Sequence, residues 1–81
     1  MRPEKHSLTL QGHRTSVSLE RPFWEAFCAL AREKGQPINA MAATLDAQRG
    51  TENGLATEIR LFVLRELQQK LEHQKDNAPD D

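Results

Sequence analysis

A short segment of the chain, residues 14–19, alternates two kinds of side chain. Such alternation is typical of a β-strand, in which successive side chains point to opposite faces. One face would carry Arg14, Ser16 and Ser18, and the other would carry Thr15, Val17 and Leu19. A guanidinium and two hydroxyls are groups that hydrogen-bond to the edges of DNA bases, and a two-stranded β-ribbon fits the major groove.

A second alternating segment precedes it, at residues 6–11, with Leu8 and Leu10 on one side. Gly12 interrupts the pattern, as a turn or a bulge would. Two arrangements are open. The first segment either folds back through residues 11–13 or extends an intermolecular ribbon.

The position of this first segment decides whether the polar side of the second is accessible. If it covers the Arg14 face, binding to a groove is blocked. If it flanks the ribbon instead, Lys5 and His13 approach the phosphates of a bound duplex.

Helical spacing of apolar residues predicts three helices, over about 22–34, 37–49 and 55–72. Pro22 suits a first helical turn, and Gly35 suits the position after a helix end. The third helix carries apolar residues over an arc of roughly 200°, which is more than one packing surface needs. We therefore expect it to contact both its own protomer and a second chain.

The chain has 81 residues and one cysteine, Cys28, so no disulfide can stabilise it. A core of this size is marginal without a partner, and a lone strand cannot leave its backbone unpaired. We therefore expect one domain over residues 1–72, mainly α with a short N-terminal β-ribbon, that forms a homodimer or a higher even oligomer. Residues 73–81 lack apolar periodicity and are expected to be a disordered acidic tail.

The net charge of −1 is unevenly distributed. Residues 1–21 hold four basic and two acidic side chains, and residues 72–81 hold one basic and four acidic ones. No run approaches the roughly 20 apolar residues of a membrane helix. The histidines and Cys28 lack metal-ligand spacing, and no catalytic or phosphate-binding motif is visible. We expect a cytoplasmic protein, not an enzyme, with no metal, cofactor or membrane partner.

Three segments, 14–19, 31–35 and 38–41, together resemble the ribbon-helix-helix superfamily, to which Arc and the methionine repressor belong. The longer pattern is similar to a bacterial family of uncharacterised ribbon-helix-helix domain proteins. It consists of His13-Arg-Thr-Ser-Val-Ser-Leu-Glu20, Phe23-Trp24 and Arg60-Leu-Phe-Val63. The resemblance spans about residues 6–66 and implies an intertwined homodimer with an additional C-terminal helix.

The resemblance also implies DNA contacts. Alternate outward residues of the ribbon read bases in the superfamily, which here are Arg14, Ser16 and Ser18. The superfamily seats a phosphate on the backbone amides at the N-terminus of the second helix, which here are those of Ile38 and Asn39. Pro37 stands where the superfamily commonly has Ser or Thr, and proline offers neither an N–H nor a capping side chain.

Three functions remain open. The leading hypothesis is a dimeric, site-specific protein that binds double-stranded DNA and regulates transcription. The second is an antitoxin whose C-terminal region binds a toxin, suggested by the third helix and the acidic tail. The third is a protein-interaction dimer that has lost DNA binding, suggested by the near-neutral charge and Pro37.

Overall fold

The computed structural model describes residues 1–50 and 52–76, which form a β-hairpin followed by three helices. The elements are β1 (Glu4–Leu10), β2 (His13–Leu19), α1 (Arg21–Glu33), α2 (Ile38–Gln48) and α3 (Leu55–Asp76). The predicted fold class, mainly helical with an N-terminal β-ribbon, is confirmed. None of the described helices is long and apolar enough to span a membrane.

The ribbon is a hairpin made by one chain. β1 and β2 pair antiparallel, with Leu10 opposite His13 at the turn and Glu4 opposite Leu19 at the far end. The turn residues Gln11 and Gly12 have φ values of 51° and 82°. Positive φ at both central positions is the type I′ geometry, which matches the twist of the two strands.

The first segment therefore folds back, which is one of the two arrangements that the sequence left open, and β1 pairs with β2. The physical reason is the length of the connection. A two-residue turn brings β1 to β2 at a small loop-closure cost, and pairing then satisfies the backbone on one edge of each strand.

The core lies between the inner face of the hairpin and the three helices. Phe27, Leu19 and Ile59 are its largest fully buried side chains. The buried residues of this core are Leu8, Val17, Leu19, Phe27, Leu30, Ala31, Met41, Ala42, Leu45, Ile59 and Val63. β1 contributes Leu8 to this core.

The end of α1 follows the sequence prediction. The backbone N–H of Gln36 donates to the carbonyl of Ala31 at 2.9 Å. Gly35 between them has a φ of 67°, a left-handed conformation that glycine adopts without a steric cost. This glycine therefore reverses the chain toward α2.

α3 is longer than predicted, since it continues through Asp76 instead of ending near residue 72. The segment 73–76 contains no Gly or Pro, so nothing in it terminates a helix. The expected disordered tail is thus helical as far as residue 76. Residues 77–81 lie outside the described part of the chain.

Candidate nucleic-acid interface

The outward side of the hairpin is a continuous polar surface, which we call the ribbon face. The register places Lys5 opposite Ser18, Ser7 opposite Ser16, and Thr9 opposite Arg14. All six side chains are exposed, and none is acidic. The structure thus brings Arg14, Ser16 and Ser18 onto one face, as predicted. β1 flanks them and does not cover them.

Two members of the ribbon face, Ser7 and Thr9, were not among the residues predicted from the sequence. A signal for them was present, because Leu8 and Leu10 alternate with them and were predicted to share one side. Assigning Ser7 and Thr9 to the Arg14 side required knowing that the segment folds back, which the alternation alone does not show.

The two cations of the ribbon face, Lys5 and Arg14, make no ion pair among the described residues. The neighbouring cation Arg21 does, because its Nη2 lies 2.9 Å from Oε2 of Glu4. The hydrogen bond from Arg21 lowers the pKa of Glu4 below its ordinary value. Glu4 therefore neutralises Arg21 and leaves the positive charge of the ribbon face uncompensated.

A second ion pair fixes the base of the hairpin to α3. Arg60 Nε donates to Oε1 of Glu20 at 3.0 Å, and its Nη2 donates to the carbonyl of Ser18 at 3.4 Å. The Arg60 guanidinium also lies 5.9 Å from the ring centroid of Phe23. The backbone N–H of Glu20 and the Arg60 guanidinium lower the pKa of Glu20. β2 is thus held where it enters α1.

The register also determines which strand edges are open. In a hairpin closed by two residues, the pair beside the turn exchanges both hydrogen bonds, so alternate residues point their backbone groups outward. Thr9 on β1 and Ser16 on β2 are such residues. The outward N–H of Thr9 donates to Oδ1 of Asn39 at 3.0 Å. The edge of β2 is open at Arg14 and Ser16, up to the Ser18 carbonyl that Arg60 occupies.

The N-terminus of α2 lies against the β1 edge of the ribbon. Pro37 precedes the helix with extended backbone and no side-chain cap, and the first turn holds no acidic residue. The first intrahelical acceptor, the Pro37 carbonyl, is taken by the N–H of Met41. The amides of Ile38 and Asn39 therefore lack an intrahelical partner. They lie next to Thr9 and hence at the margin of the ribbon face.

The side chains of Ile38 and Asn39 both make contacts within the protein. The side chain of Ile38 is half-buried and packs against the core. The side-chain oxygen of Asn39 holds the edge of β1. What this turn can offer to an anion is therefore its backbone amides and the positive end of the helix.

His13 is not on the ribbon face. It shares its side of β2 with Thr15, and both line a groove of about 480 Å³ between the hairpin tip, α2 and the start of α3. Ala43 and Leu55 form part of its apolar wall. His13 is exposed. Arg14 and Ser16 line the same groove, whereas Lys5 does not.

The remaining residues that could do chemistry are packing residues. Trp24 is half-buried and stacks on His6 with ring centroids 4.0 Å apart. His6 Nε2 is buried and has no hydrogen-bond partner within the described chain. Burial raises the pKa of the Cys28 thiol. Over residues 1–50 and 52–76, no three His, Cys, Asp or Glu side chains are grouped to hold a metal ion.

The sequence was then compared with known proteins. The profile of the ribbon-helix-helix domain matches residues 3–67, which are 65 of the 81 residues. The chain belongs to the ribbon-helix-helix family. No curated protein and no solved structure is significantly similar to it.

Ribbon-helix-helix domains are typically non-enzymatic DNA-binding proteins, either transcription regulators or antitoxins, and they generally form dimers. The family match includes the whole hairpin, α1, α2 and the first part of α3. The last turns of α3, residues 68–76, lie beyond it. The ribbon face thus belongs to the family's domain, whereas the end of α3 is an addition to it.

Proposed function

We propose that this protein is a dimeric, sequence-specific binder of double-stranded DNA that regulates transcription in the bacterial cytoplasm. One observation carries the proposal. The ribbon face is exposed and contains no acidic side chain, and its cations Lys5 and Arg14 form no ion pair within residues 1–50 and 52–76. A two-stranded ribbon of this kind enters the major groove.

The proposed contacts are of two kinds, to base edges and to phosphates. Arg14, Ser16 and Ser18 meet base edges, with Arg14 suited to a bidentate contact to a guanine. Lys5 and the amides of Ile38 and Asn39 meet phosphates at the groove wall. His13, on the opposite side of β2, is the predicted phosphate contact that the geometry supports least.

Selection from a pool of random duplexes, followed by titration of the enriched sequence, tests the proposal. We expect one enriched motif and an affinity that falls steeply as salt rises, because phosphate contacts release counterions. Arg14→Ala should weaken binding by about 1–3 kcal/mol and lose the preference at one position of the motif.

Arg32→Ala is the matched control. Arg32 is an exposed cation in the last turn of α1 with no ion pair among the described residues, so its loss changes the net charge without changing the ribbon face. If the wild-type protein enriches no motif from the pool of random duplexes, sequence-specific binding is refuted. The chain would then be a ribbon-helix-helix dimer that serves protein interaction.

An antitoxin is the second candidate, and a specific observation favours it. Leu71, near the end of α3, is 69% exposed, and an apolar side chain so far from the core suits contact with another protein. Co-expression with the products of neighbouring genes tests this function. A Leu71→Gln variant that retains every bound protein would count against it.

A further inference from the structure

The proposed base contacts all come from β2, although β1 supplies half of the ribbon face. The outward residues of β1, in order toward the turn, are Lys5, Ser7 and Thr9. Of these, Thr9 lies directly opposite Arg14. The pair of Thr9 and Arg14 is therefore the place where the second strand of the hairpin adds most directly to the reading of bases.

Thr9 and Arg14 are close enough to contact neighbouring base pairs. Leu10 and His13 flank the turn, so Thr9 and Arg14 form the next pair along the ribbon, which is a non-hydrogen-bonded pair. Side chains opposite each other on one face of two strands have Cβ atoms about 4.5–5.5 Å apart. Successive base pairs are about 3.4 Å apart along the axis of a duplex. A contact of Arg14 with one base pair therefore places Thr9 over the neighbouring one.

The backbone of Thr9 is held in place, and its side chain is open to a ligand. The Thr9 N–H donates to Oδ1 of Asn39 at 3.0 Å, which holds this point of β1 against α2. The Thr9 side chain is exposed, and its hydroxyl makes no hydrogen bond within residues 1–50 and 52–76. Because threonine is branched at Cβ, its methyl and hydroxyl groups occupy few rotamers. Thr9 thus presents a methyl group on the ribbon face with little conformational freedom.

The length of the side chain distinguishes Thr9 from Lys5 on the same strand. Lys5 has a flexible four-carbon stem that extends to phosphates at the wall of the groove. The short side chain of Thr9 reaches only what lies directly under the ribbon, which in the major groove is the edges of the bases. The C5 methyl group of thymine is the part of those edges that a threonine methyl contacts favourably.

We propose that Thr9 is a specificity-determining residue of the DNA site and selects a thymine next to the guanine that Arg14 contacts. This inference rests on the proposed function, because it assigns a base to a second residue of the same surface. Ser7 and Ser16, opposite each other in the middle of the ribbon face, lack such selectivity, since a hydroxyl bonds to several bases. The strongest preferences of the motif should therefore fall at two adjacent positions, under the turn end of the hairpin.

Two substitutions of Thr9 separate a methyl contact from a hydroxyl contact. Thr9→Ser removes the methyl group and keeps the hydroxyl, whereas Thr9→Val keeps a methyl group and removes the hydroxyl. Selection from random duplexes with the wild type, Arg14→Ala and both Thr9 variants shows which position each residue reads. We expect Thr9→Ser to lose the thymine preference at the position next to the one that Arg14→Ala loses, and Thr9→Val to retain it.

Deoxyuridine in place of this thymine removes the same contact from the DNA. In fluorescence anisotropy titrations, the wild type should bind the deoxyuridine duplex about fourfold more weakly, as expected for the loss of one buried methyl group. Thr9→Ser should bind the two duplexes equally. Thr15→Ser is the matched control and should behave as the wild type, because Thr15 is exposed on the opposite side of the same hairpin. Thermal unfolding followed by circular dichroism verifies that each variant keeps the fold.

The outcomes distinguish this inference from the proposed function. The inference alone is overturned if the wild-type motif has a guanine that depends on Arg14 but no thymine preference beside it. It is also overturned if Thr9→Val, and not Thr9→Ser, weakens binding to all duplexes alike, because Thr9 would then contact a phosphate through its hydroxyl. If the wild type enriches no motif, both this inference and the proposed function fail.

Discussion

The hairpin and the end of α3 each present a surface that the described part of the chain leaves uncovered, and the two surfaces differ in chemistry. The hairpin presents six small, polar or basic side chains in two rows. The end of α3 presents leucines in one row. The first surface suits a polyanion, whose phosphates and base edges are polar. The second suits an apolar surface of similar shape.

The two regions also differ in their position in the chain. The ribbon face lies within the family's domain, whereas α3 extends past the end of the match at residue 67. The hairpin is also tied to the body at both ends, by Asn39 at the edge of β1 and by Arg60 at the end of β2. The last turns of α3 extend beyond the core. A hairpin fixed at two points and a helix end that extends beyond the core are thus combined in one small chain.

The substitution with the largest expected effect destabilises both regions, because they share one core. Ile59 on α3 has no exposed surface and belongs to the same buried cluster as Leu19 of β2. Ile59→Ala should lower the free energy of unfolding by about 2–5 kcal/mol, since it removes buried methyl groups and leaves a cavity. Urea unfolding followed by circular dichroism measures it.

Leu64→Ala is the control for this substitution, because Leu64 lies on the same helix and is 49% exposed. It should cost much less, because truncation of a half-exposed side chain leaves no enclosed cavity. Equal losses for the two variants would show that α3 is not docked through Ile59 and that the two regions are independent.

The second effect belongs to the ribbon face alone. Lys5→Ala should weaken binding to all duplexes by a similar factor, because a phosphate contact carries no sequence information. The slope of log affinity against log salt should fall by about 0.9. Fluorescence anisotropy at four or more salt concentrations measures it. An unchanged slope would place Lys5 away from the phosphates.

Much of this architecture could be predicted from the sequence because it depends on local patterns. Alternation placed Arg14, Ser16 and Ser18 on one face, and Gly35 with Pro22 indicated the limits of the first helix. The third helix packs on its own protomer through Ile59 and Val63, as its apolar arc indicated, and its contact with a second chain stays a prediction. These patterns are sufficient because each depends on neighbours a few residues apart.

What could not be predicted depends on which partner a segment finds. Both arrangements of residues 6–11 bury Leu8, so periodicity does not distinguish between folding back and pairing with another chain. The turn that decides it contains Gln11, an unusual residue at positive φ. The side of β2 that carries His13 was readable from the alternation. Its separation from Lys5 across the ribbon followed only from the register.

A third, smaller effect concerns this turn. Gln11 has a φ of 51°, a left-handed conformation that disfavours most side chains and that Asn tolerates better. Gln11→Asn should therefore stabilise the fold by less than about 1 kcal/mol. It should also leave the register of β1 and β2 intact. Thermal unfolding measures the gain. The effect should be confined to the hairpin. A Gln11→Asn variant that is less stable than the wild type would contradict the type I′ geometry.

The smallest expected effect is a pH dependence at the joint between the two regions, the contact of Glu20 with Arg60. The pKa of Glu20 is lowered in the fold, from an ordinary value of 4.5, by its backbone N–H and by Arg60. A lowered pKa means that the unfolded chain binds the proton more readily. The stabilisation is therefore fully present above pH 4.5 and is lost as the pH falls through the folded-state value.

The Glu20→Gln variant isolates this contribution, because it removes the charge and retains the shape. The difference in unfolding free energy between the wild type and Glu20→Gln should be largest near pH 6 and should shrink toward pH 3. Glu4 titrates in the same direction through its bond to Arg21, so the comparison must be made within this pair of proteins and not from the wild type alone. A difference that grows on acidification would mean that the Arg60 contact does not stabilise the carboxylate. The joint between hairpin and α3 would then depend on apolar packing around Leu19 and Ile59.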